Sequence, residues 1–159
     1  MRYAVLLLSI LGITAAVAAD APAAFVPHYM SQRGAQADLR EGPSYDHKVL
    51  WVYRHKGYPF RALASFDIWR RVQAADGTIG WMSVAMLSDT RTVLVTGNGR
   101  AQIRKDAAPE SKITGLADPG AILALKSCVQ DVCRIAANGI DGWIAKDRIW
   151  GVEADEVTK

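Results

Sequence analysis

Two cysteines, Cys128 and Cys133, are the residues best suited to covalent chemistry in this chain of 159 residues. They enclose the four residues Val-Gln-Asp-Val, and a loop of that length can join two antiparallel strands of a hairpin. Because paired thiols close in oxidising compartments, the spacing favours a disulfide. The alternatives are a metal pair and a redox dithiol, but the spacing is not Cys-x-x-Cys and no second cysteine pair or nearby histidine completes a zinc set.

Histidine-based catalysis finds little support in the sequence. No Gly-x-Ser-x-Gly motif lies near His28, His47 or His55. Asp46 precedes His47, but adjacent residues of a strand point to opposite faces, so the two make a poor acid–base pair. Phosphate loops, dinucleotide fingerprints and metal-ligand strings are also missing from the sequence. We therefore expect a protein that is not an enzyme and that needs no metal or cofactor.

Aromatic side chains are the candidates for a binding surface, because they give rigid contact area at a small entropic cost. Trp51 and Tyr53 alternate onto one face of a predicted strand, and Tyr45 follows the turn before it. A small core does not easily hold all three, so we expect them to contact a ligand. Arg40 and Arg71 are suited to orient a carboxylate at the edge of this face by bidentate hydrogen bonds.

The elements that must position these residues occur twice. Ala-Ala-Asp-Gly-Thr-Ile-Gly-Trp ends at Trp81, and Ala-Ala-Asn-Gly-Ile-Asp-Gly-Trp ends at Trp143. Asp-Gly and Asn-Gly are strong hairpin turns, and a period of about 60 residues fits two small domains rather than a solenoid. Trp81 and Trp143 are predicted to be structural, each buried where the last hairpin closes its unit. Trp69 fits a core position and a ligand contact equally well.

Short strands with period-two alternation surround each hairpin. Five strands with a helical turn before the last one describe a small barrel. The predicted fold is therefore all-β, with two tandem five-stranded barrels after a cleaved signal peptide. The β-branched stretch 92–96 is either a linker or the opening strand of the second barrel.

The start of the chain has the layout of a secretory signal peptide. Arg2 precedes an apolar run that ends at Ile13, and small residues follow up to Ala19. The run is short for a bilayer span, and an uncleaved anchor is the alternative. We expect a periplasmic or secreted protein with no stable membrane span. Its expected parts are a signal peptide (1–19), a flexible leader (20–35), a first barrel (36–90), a second, divergent barrel (97–153) and an acidic tail (154–159).

The charge of the chain gives no sign of a nucleic-acid partner. The formal net charge is +3, and removal of residues 1–19 takes away only Arg2 among the charged residues. A near-neutral protein is a poor match for a dedicated nucleic-acid binder. Basic residues do crowd residues 54–71. We interpret them as a solvated outer face of strands, with a site for an anionic partner as the alternative.

The first copy resembles the bacterial Src-homology-3-like domain. Residues 37–44 read Ala-Asp-Leu-Arg-Glu-Gly-Pro-Ser, close to that family's opening pattern Asn-x-Arg-x-Gly-Pro, and Gly80-Trp81 resembles its closing pair. The resemblance implies structural roles for Gly42 and Pro43 in the first turn. It covers residues 36–88 well and 100–152 more weakly, since residues 105–108 replace Gly-Pro-Ser. The cysteine pair and the closing Ile-Trp-Gly-Val resemble an exported two-copy branch of the family.

That resemblance implies a binding or targeting module, with relatives on cell-wall hydrolases and envelope proteins. The expected partner is a cell-wall peptide or an envelope protein. We expect the first copy to carry the site, because its aromatic residues do not recur: residues near Gly115 lie opposite 51–53, and 109–112 replace the region of Tyr45. A structural or assembly component of an envelope complex is the alternative, and a small hydrolase is a third.

Overall fold

Over the residues that the structure describes, the protein is all-β, as predicted, with two seven-stranded antiparallel sheets and two short 3-10 helices. The computed structural model describes residues 24–158. The predicted signal peptide (1–19), the start of the predicted leader and Lys159 of the predicted tail lie outside these residues. We call residues 28–88 the first unit and residues 92–150 the second unit.

The first unit forms one sheet with the strand order β3-β2-β6-β5-β4-β1-β7. The 3-10 helix Val84–Met86 precedes its last strand. Its seven strands are β1 (His28–Gln32), β2 (Ala37–Arg40), β3 (Val49–Tyr53), β4 (Pro59–Phe66), β5 (Trp69–Gln73), β6 (Ile79–Ser83) and β7 (Leu87–Ser88).

Strand β1 corrects the predicted flexible leader and raises the strand count above the expected five. Its residues pair antiparallel with β4 on one side and with β7 on the other. Tyr29 and Met30 are buried, and Gln32 is buried with them. The sequence here has no alternation of apolar and polar residues, because four consecutive residues of β1 are buried. For that reason the sequence pattern did not indicate a strand in the predicted leader.

The second unit repeats this topology with the strand order β10-β9-β13-β12-β11-β8-β14. Residues 92–96 were open between a linker and a strand, and Thr92–Val95 form the opening strand β8, which pairs with β11 and β14. The 3-10 helix is Lys146–Arg148. The strands are β8 (Thr92–Val95), β9 (Ala101–Arg104), β10 (Ile113–Ala117), β11 (Ile122–Val129), β12 (Val132–Ala137), β13 (Ile140–Ala145) and β14 (Ile149–Trp150).

Each sheet closes around its own apolar core. On β2, Ala37 and Leu39 are fully buried while Asp38 and Arg40 are only partly so, which is the alternation of a strand with one face inward. The fully buried members of the first core include Leu39, Phe60, Val72, Met82 and Leu87. The second core contains Val93, Val95, Ile103, Ile135, Ile144 and both cysteines.

The predicted disulfide is present. Cys128 and Cys133 are directly opposite each other on β11 and β12 and are joined by a bond. Both are fully buried. The connection between the strands is shorter than expected, with Gln130 and Asp131 alone outside them, because the cysteines themselves belong to the strands.

The C-terminal residues fold back onto this hairpin. The backbone of Cys128 exchanges two hydrogen bonds of 3.1 Å with the backbone of Thr158. Lys146 Nζ donates to the carbonyls of Ala154 and Glu156 at 3.0 and 2.8 Å. The predicted acidic tail is therefore held against the second unit by backbone pairing.

The two units contact each other through β1, β4 and the loop before β4 on one side and through β8, β14 and the residues after β14 on the other. The Tyr29 and Trp150 rings meet edge to face with centroids 5.2 Å apart. Thr92 Oγ1 donates to the Gly57 carbonyl at 2.6 Å. Arg61 forms an ion pair with Glu153 at 2.9 Å across the same boundary. Aromatic, hydrogen-bonded and ionic contacts thus fix one unit against the other.

Candidate functional site

The predicted aromatic face of the first unit divides into three places. Tyr45 lies in the loop between β2 and β3, and its ring packs edge to face on Trp69 of β5, with centroids 4.9 Å apart. The Tyr45 hydroxyl lies 3.3 Å from Ser83 Oγ on β6. Trp51 is on β3, which is separated from β5 by the two strands β2 and β6. Tyr45 therefore packs against β5 and β6, and none of these contacts joins it to Trp51.

Trp51 is the most exposed aromatic side chain of this set, at 61% of its full surface. Its strand β3 is the edge of the sheet, and among the described residues it pairs only with β2. The neighbouring Leu50 is also exposed. A large aromatic side chain on a strand with one open edge is suited to contact a partner, because such residues dominate interface energetics.

Tyr53 is a core residue, which corrects its prediction as a surface ligand. It is only 8% exposed, and its ring packs at right angles on Phe60 with centroids 4.8 Å apart. Burial raises the pKa of Tyr53 above the usual value, with a smaller contribution from Asp76. The spacing of Trp51 and Tyr53 does place them on the same face of β3, but at Tyr53 that face is covered by the core whereas at Trp51 it is exposed.

The two predicted arginines behave differently. Arg40 Nη1 donates to the carbonyls of Tyr45 and His47, both at 2.9 Å, and its Nη2 forms an ion pair with Asp38 at 3.3 Å. Its guanidinium also lies over the Tyr45 ring, 5.5 Å from the centroid. Arg40 therefore braces the loop. Arg71 is exposed, and within residues 24–158 its side chain has no hydrogen bond or ion pair, so it is the arginine available to an anionic group.

Both closing tryptophans lie between two arginines. Trp81 is opposite Arg40 on one neighbouring strand and Arg71 on the other. Trp143 is opposite Arg104 and Arg134 in the same way. Trp81 and Trp143 are only partly buried, which corrects the expectation that each closing ring is buried. Each indole forms part of the outer surface of its unit, between two strands that carry arginines at the paired positions.

The residue before each closing tryptophan must be glycine for steric reasons. A Cβ at Gly80 would stand 2.7 Å from Leu39 Cγ and 2.8 Å from the Arg40 carbonyl oxygen. A Cβ at Gly142 would stand 2.6 Å from both Ile103 Cγ2 and the Arg104 carbonyl oxygen. The Gly-Trp pair of each repeat thus lets two strands approach closely.

The first turn explains the structural glycine at 42 and its loss in the second copy. Gly42 is buried, and a Cβ there would overlap the His47 ring. Pro43 beside it is partly buried in the same turn. In the second unit Asp106 and Ser111 replace Gly42 and His47, and Ser111 Oγ donates to Asp106 Oδ2 at 3.3 Å. The small serine makes room for the aspartate side chain.

The second unit contains a cleft that the sequence analysis did not identify. The cleft has a volume of about 470 Å³, and Trp143, Val132 and Pro109 line it together with Asp131 and Asp147. One signal could have found it: the repeat replaces Tyr45 by a proline, and Trp69 by a valine. The loss of Tyr45 entered the sequence analysis as a reason to expect the ligand on the first copy, and the loss of Trp69 did not enter it.

No three His, Cys, Asp or Glu side chains in the described part of the chain lie close enough to hold a metal ion. Within residues 24–158, no helix combines the length and the apolar character required to cross a membrane. The described residues form two small all-β units of the same strand topology, each with a Gly-Trp pair on the strand that closes its last hairpin. This is the architecture of a tandem Src-homology-3-like protein.

The family is shown by comparison with known sequences. The family model described as the bacterial SH3 domain matches residues 33–89 and again residues 97–151. This chain therefore belongs to the bacterial SH3 domain family and carries two tandem copies. Domains of this family are binding modules that typically bind cell-wall components. No curated protein sequence matches the chain.

Two solved structures from Trichomonas vaginalis, those of NlpC2 and NlpC1, are similar to this chain. Their sequence identities are 13% and 12%, with TM-scores of 0.37 and 0.36. The matches cover 79% and 81% of this chain. The chain spans about half the length of these two proteins, 48% of one and 47% of the other.

Proposed function

We propose that this protein is an exported, non-enzymatic binding module that recognises a cell-wall peptide or an envelope protein partner. The family supports binding to cell-wall material. The buried Cys128–Cys133 bond supports export, because disulfides persist in oxidising compartments such as the periplasm. No enzymatic role enters the proposal, since the three histidines lie beside no nucleophile motif in the sequence.

The exposure of Trp51 carries the proposal. Trp51 and Leu50 are adjacent exposed apolar residues on the edge strand β3. An edge strand presents unpaired backbone groups to a partner, and an extended peptide can add to such an edge while its side chains contact neighbouring aromatic residues. Tyr45, 56% exposed, and Arg71 supply further contacts on the outer wall of the same unit.

A pull-down with purified sacculi tests this function. We expect the mature protein to sediment with sacculi and Trp51→Ala to lose most of that binding, because truncation of a central aromatic contact typically costs about 2 kcal/mol or more. Phe66→Ala is the matched control, since Phe66 is 60% exposed on the same unit. Its effect measures how much sedimentation depends on non-specific contacts of an exposed aromatic side chain. Equal sedimentation of wild type and Trp51→Ala would contradict a role for the β3 edge.

The second candidate function is a structural or assembly component of an envelope complex. The fixed contact between the units favours it, because Tyr29, Trp150 and the Arg61–Glu153 pair hold two similar units in one arrangement. A protein that sediments only with envelope protein, and not with sacculi stripped of protein, would support this candidate over cell-wall binding.

A further inference from the structure

The two units differ most in what occupies the space beside the closing tryptophan. In the first unit the Tyr45 ring fills this space: it packs on Trp69, its hydroxyl reaches Ser83, and the Arg40 guanidinium lies over it. In the first unit, Tyr45 of the β2–β3 loop thus covers this part of the sheet surface.

The second unit has smaller side chains at the matching positions. Strand pairing sets Trp69 opposite Ser83 in one unit and Val132 opposite Ala145 in the other. Arg40 and Arg104 brace their loops in the same way, the first through the His47 carbonyl and the second through the Ser111 carbonyl. That match places Pro109 where the first loop has Tyr45.

Loss of these rings opens the second-unit cleft of about 470 Å³ beside Trp143. An adjoining hollow of about 520 Å³ shares three of its lining residues, Asp131, Ala145 and Asp147. The two hollows therefore adjoin at the 3-10 helix Lys146–Arg148, and we call the pair the groove. A groove of this extent fits a chain-like ligand better than a single ion.

The cationic side chains of the groove are all engaged within the protein. Arg104 donates to the Ser111 carbonyl and to Gln102 Oε1, both at 2.7 Å. Arg148 Nη2 donates to the carbonyls of Asn98 and Gly99. Arg100 forms an ion pair with Asp118 at 2.7 Å. Lys146 donates to two backbone carbonyls in the same way. The hydrogen-bond donors of these four cations are thus used within the protein, and Arg100 is the one that pairs with a carboxylate.

The four carboxylates of the groove fall into two pairs. Asp106 accepts from Ser111 and Glu153 pairs with Arg61, whereas Asp131 and Asp147 are not engaged in this way. Within the described residues, neither Asp131 nor Asp147 has a side-chain hydrogen bond or an ion pair, and both side chains are exposed. The first unit has Ile68 and Ala85 at the matching positions, so these two charges are specific to the second unit. They lie where the two hollows meet.

We propose that this groove binds a short peptide that carries a cationic side chain. The cationic group lies between Asp131 and Asp147, and the apolar part of the peptide packs on Trp143 and Val132. This site goes beyond the proposed function, because it belongs to the other unit and does not require Trp51. It also reverses the expectation that only the first copy binds a ligand.

Titration of the full mature chain with a defined peptide tests the site. The probe is acetyl-Ala-Lys-Ala-amide, and its Nε-acetyllysine form is the uncharged control. In two-dimensional NMR spectra, we expect the lysine peptide to shift the Trp143 indole N–H and the amides of 131 and 147, and the control to shift them far less. Asp131→Asn with Asp147→Asn should weaken binding by about tenfold or more, since hydrogen bonds to charged groups are among the stronger ones.

A second variant uses the first unit as its template. Pro109→Tyr with Val132→Trp should fill the groove and abolish the shifts, and its spectrum shows whether the fold is kept. Phe66→Ala is a control in the other unit, where that side chain is exposed, and should leave peptide binding unchanged. The inference is overturned if the lysine peptide does not bind, if both peptides bind alike, or if the shifts lie in the first unit. Wild-type sedimentation with sacculi after any of these results would show that the proposed function survives without the groove.

Discussion

The Tyr29 ring lies edge to face against the Trp150 indole at 5.2 Å and joins the first strand of one unit to the last strand of the other. The Arg91 guanidinium lies over the Tyr29 ring, 5.5 Å from its centroid, and Arg91 forms an ion pair with Glu156 at 2.9 Å. Residues from the start, the middle and the end of the described chain therefore meet at one point. The two domains are coupled by packing as well as by their short connection.

Trp150→Ala should weaken this coupling. An edge-to-face aromatic pair contributes about 0.5 to 1.5 kcal/mol beyond its buried area, so we expect a lower melting temperature and a broader or split transition in calorimetry as the units unfold separately. Trp51→Ala is the matched control, because that indole is exposed and its loss should leave the transition intact. A single unchanged transition in Trp150→Ala would show that the other contacts suffice.

The glycine before each closing tryptophan gives a second prediction. Gly80→Ala and Gly142→Ala should each destabilise their own unit, because the new Cβ meets a neighbouring backbone carbonyl and side chain that have little room to move. Gly34→Ala is the control, since its nearest neighbouring atom is 3.8 Å away. Chemical denaturation measures the free energy of unfolding. Equal stability of Gly80→Ala and Gly34→Ala would contradict the close approach of β2 and β6.

The position of Trp81 sets a third prediction. Leu39 is fully buried whereas Trp81 is only partly buried. Leu39→Ala should therefore cost about 2 to 5 kcal/mol of unfolding free energy, and Trp81→Ala should cost less despite its larger side chain. Thermal unfolding of the two variants compares them directly. If Trp81→Ala lowered the free energy of unfolding more than Leu39→Ala, the contacts of Trp81 on the outer surface would stabilise the unit more than those of Leu39 in the core.

The repeat and its hairpins were predictable because local chemistry determines them. Asp76-Gly77 forms the expected turn, with the Thr78 N–H donating to Asp76 Oδ1 at 2.9 Å and Gly77 at a φ of 87°. The cysteine spacing likewise predicted the bonded hairpin. In these cases a few neighbouring residues are enough to specify the structure.

What could not be predicted depends on which elements meet in space. Strand β1 lacks alternation, because both its faces are covered. Trp51 and Tyr53 are two residues apart, and the alternation of a strand predicts the same face for both. Tyr53 nevertheless packs on Phe60 in the core, whereas Trp51 is exposed to solvent. The groove of the second unit arises from smaller residues on a loop and a strand that only the fold brings together.

The Cys128–Cys133 bond gives a fourth prediction. Closing so short a loop contributes about 2 kcal/mol by the loop-entropy relation, so Cys128→Ala with Cys133→Ala should lower the stability of the second unit by about that amount. Amide exchange at Thr158 should also accelerate, because that residue pairs with the Cys128 backbone. Thiol counting under denaturing, non-reducing conditions should find no free thiol in protein taken from the periplasm. Two free thiols would contradict the bond in the cell.

Alkaline pH gives the last prediction. Burial raises the pKa of Tyr53 and of Tyr58, whose rings are 5.0 Å apart, and Asp76 adds to both shifts. Each tyrosine is neutral in both states below pH 10, the usual value. Above pH 10 the tyrosines of the unfolded chain lose their protons before those of the folded protein do. This ionisation lowers the free energy of the unfolded state, so the free energy of unfolding falls as pH rises from the unfolded pKa toward the raised folded pKa.

Tyr53→Phe should therefore reduce the loss of stability above pH 10, because phenylalanine keeps the ring contact with Phe60 and has no proton to release. Tyr58→Phe should act in the same direction. Denaturant unfolding at a series of pH values measures the effect, and tyrosinate absorbance follows ionisation in parallel. If the alkaline slope is the same in wild type and both variants, the protons are released elsewhere and the buried tyrosine cluster does not limit stability at high pH.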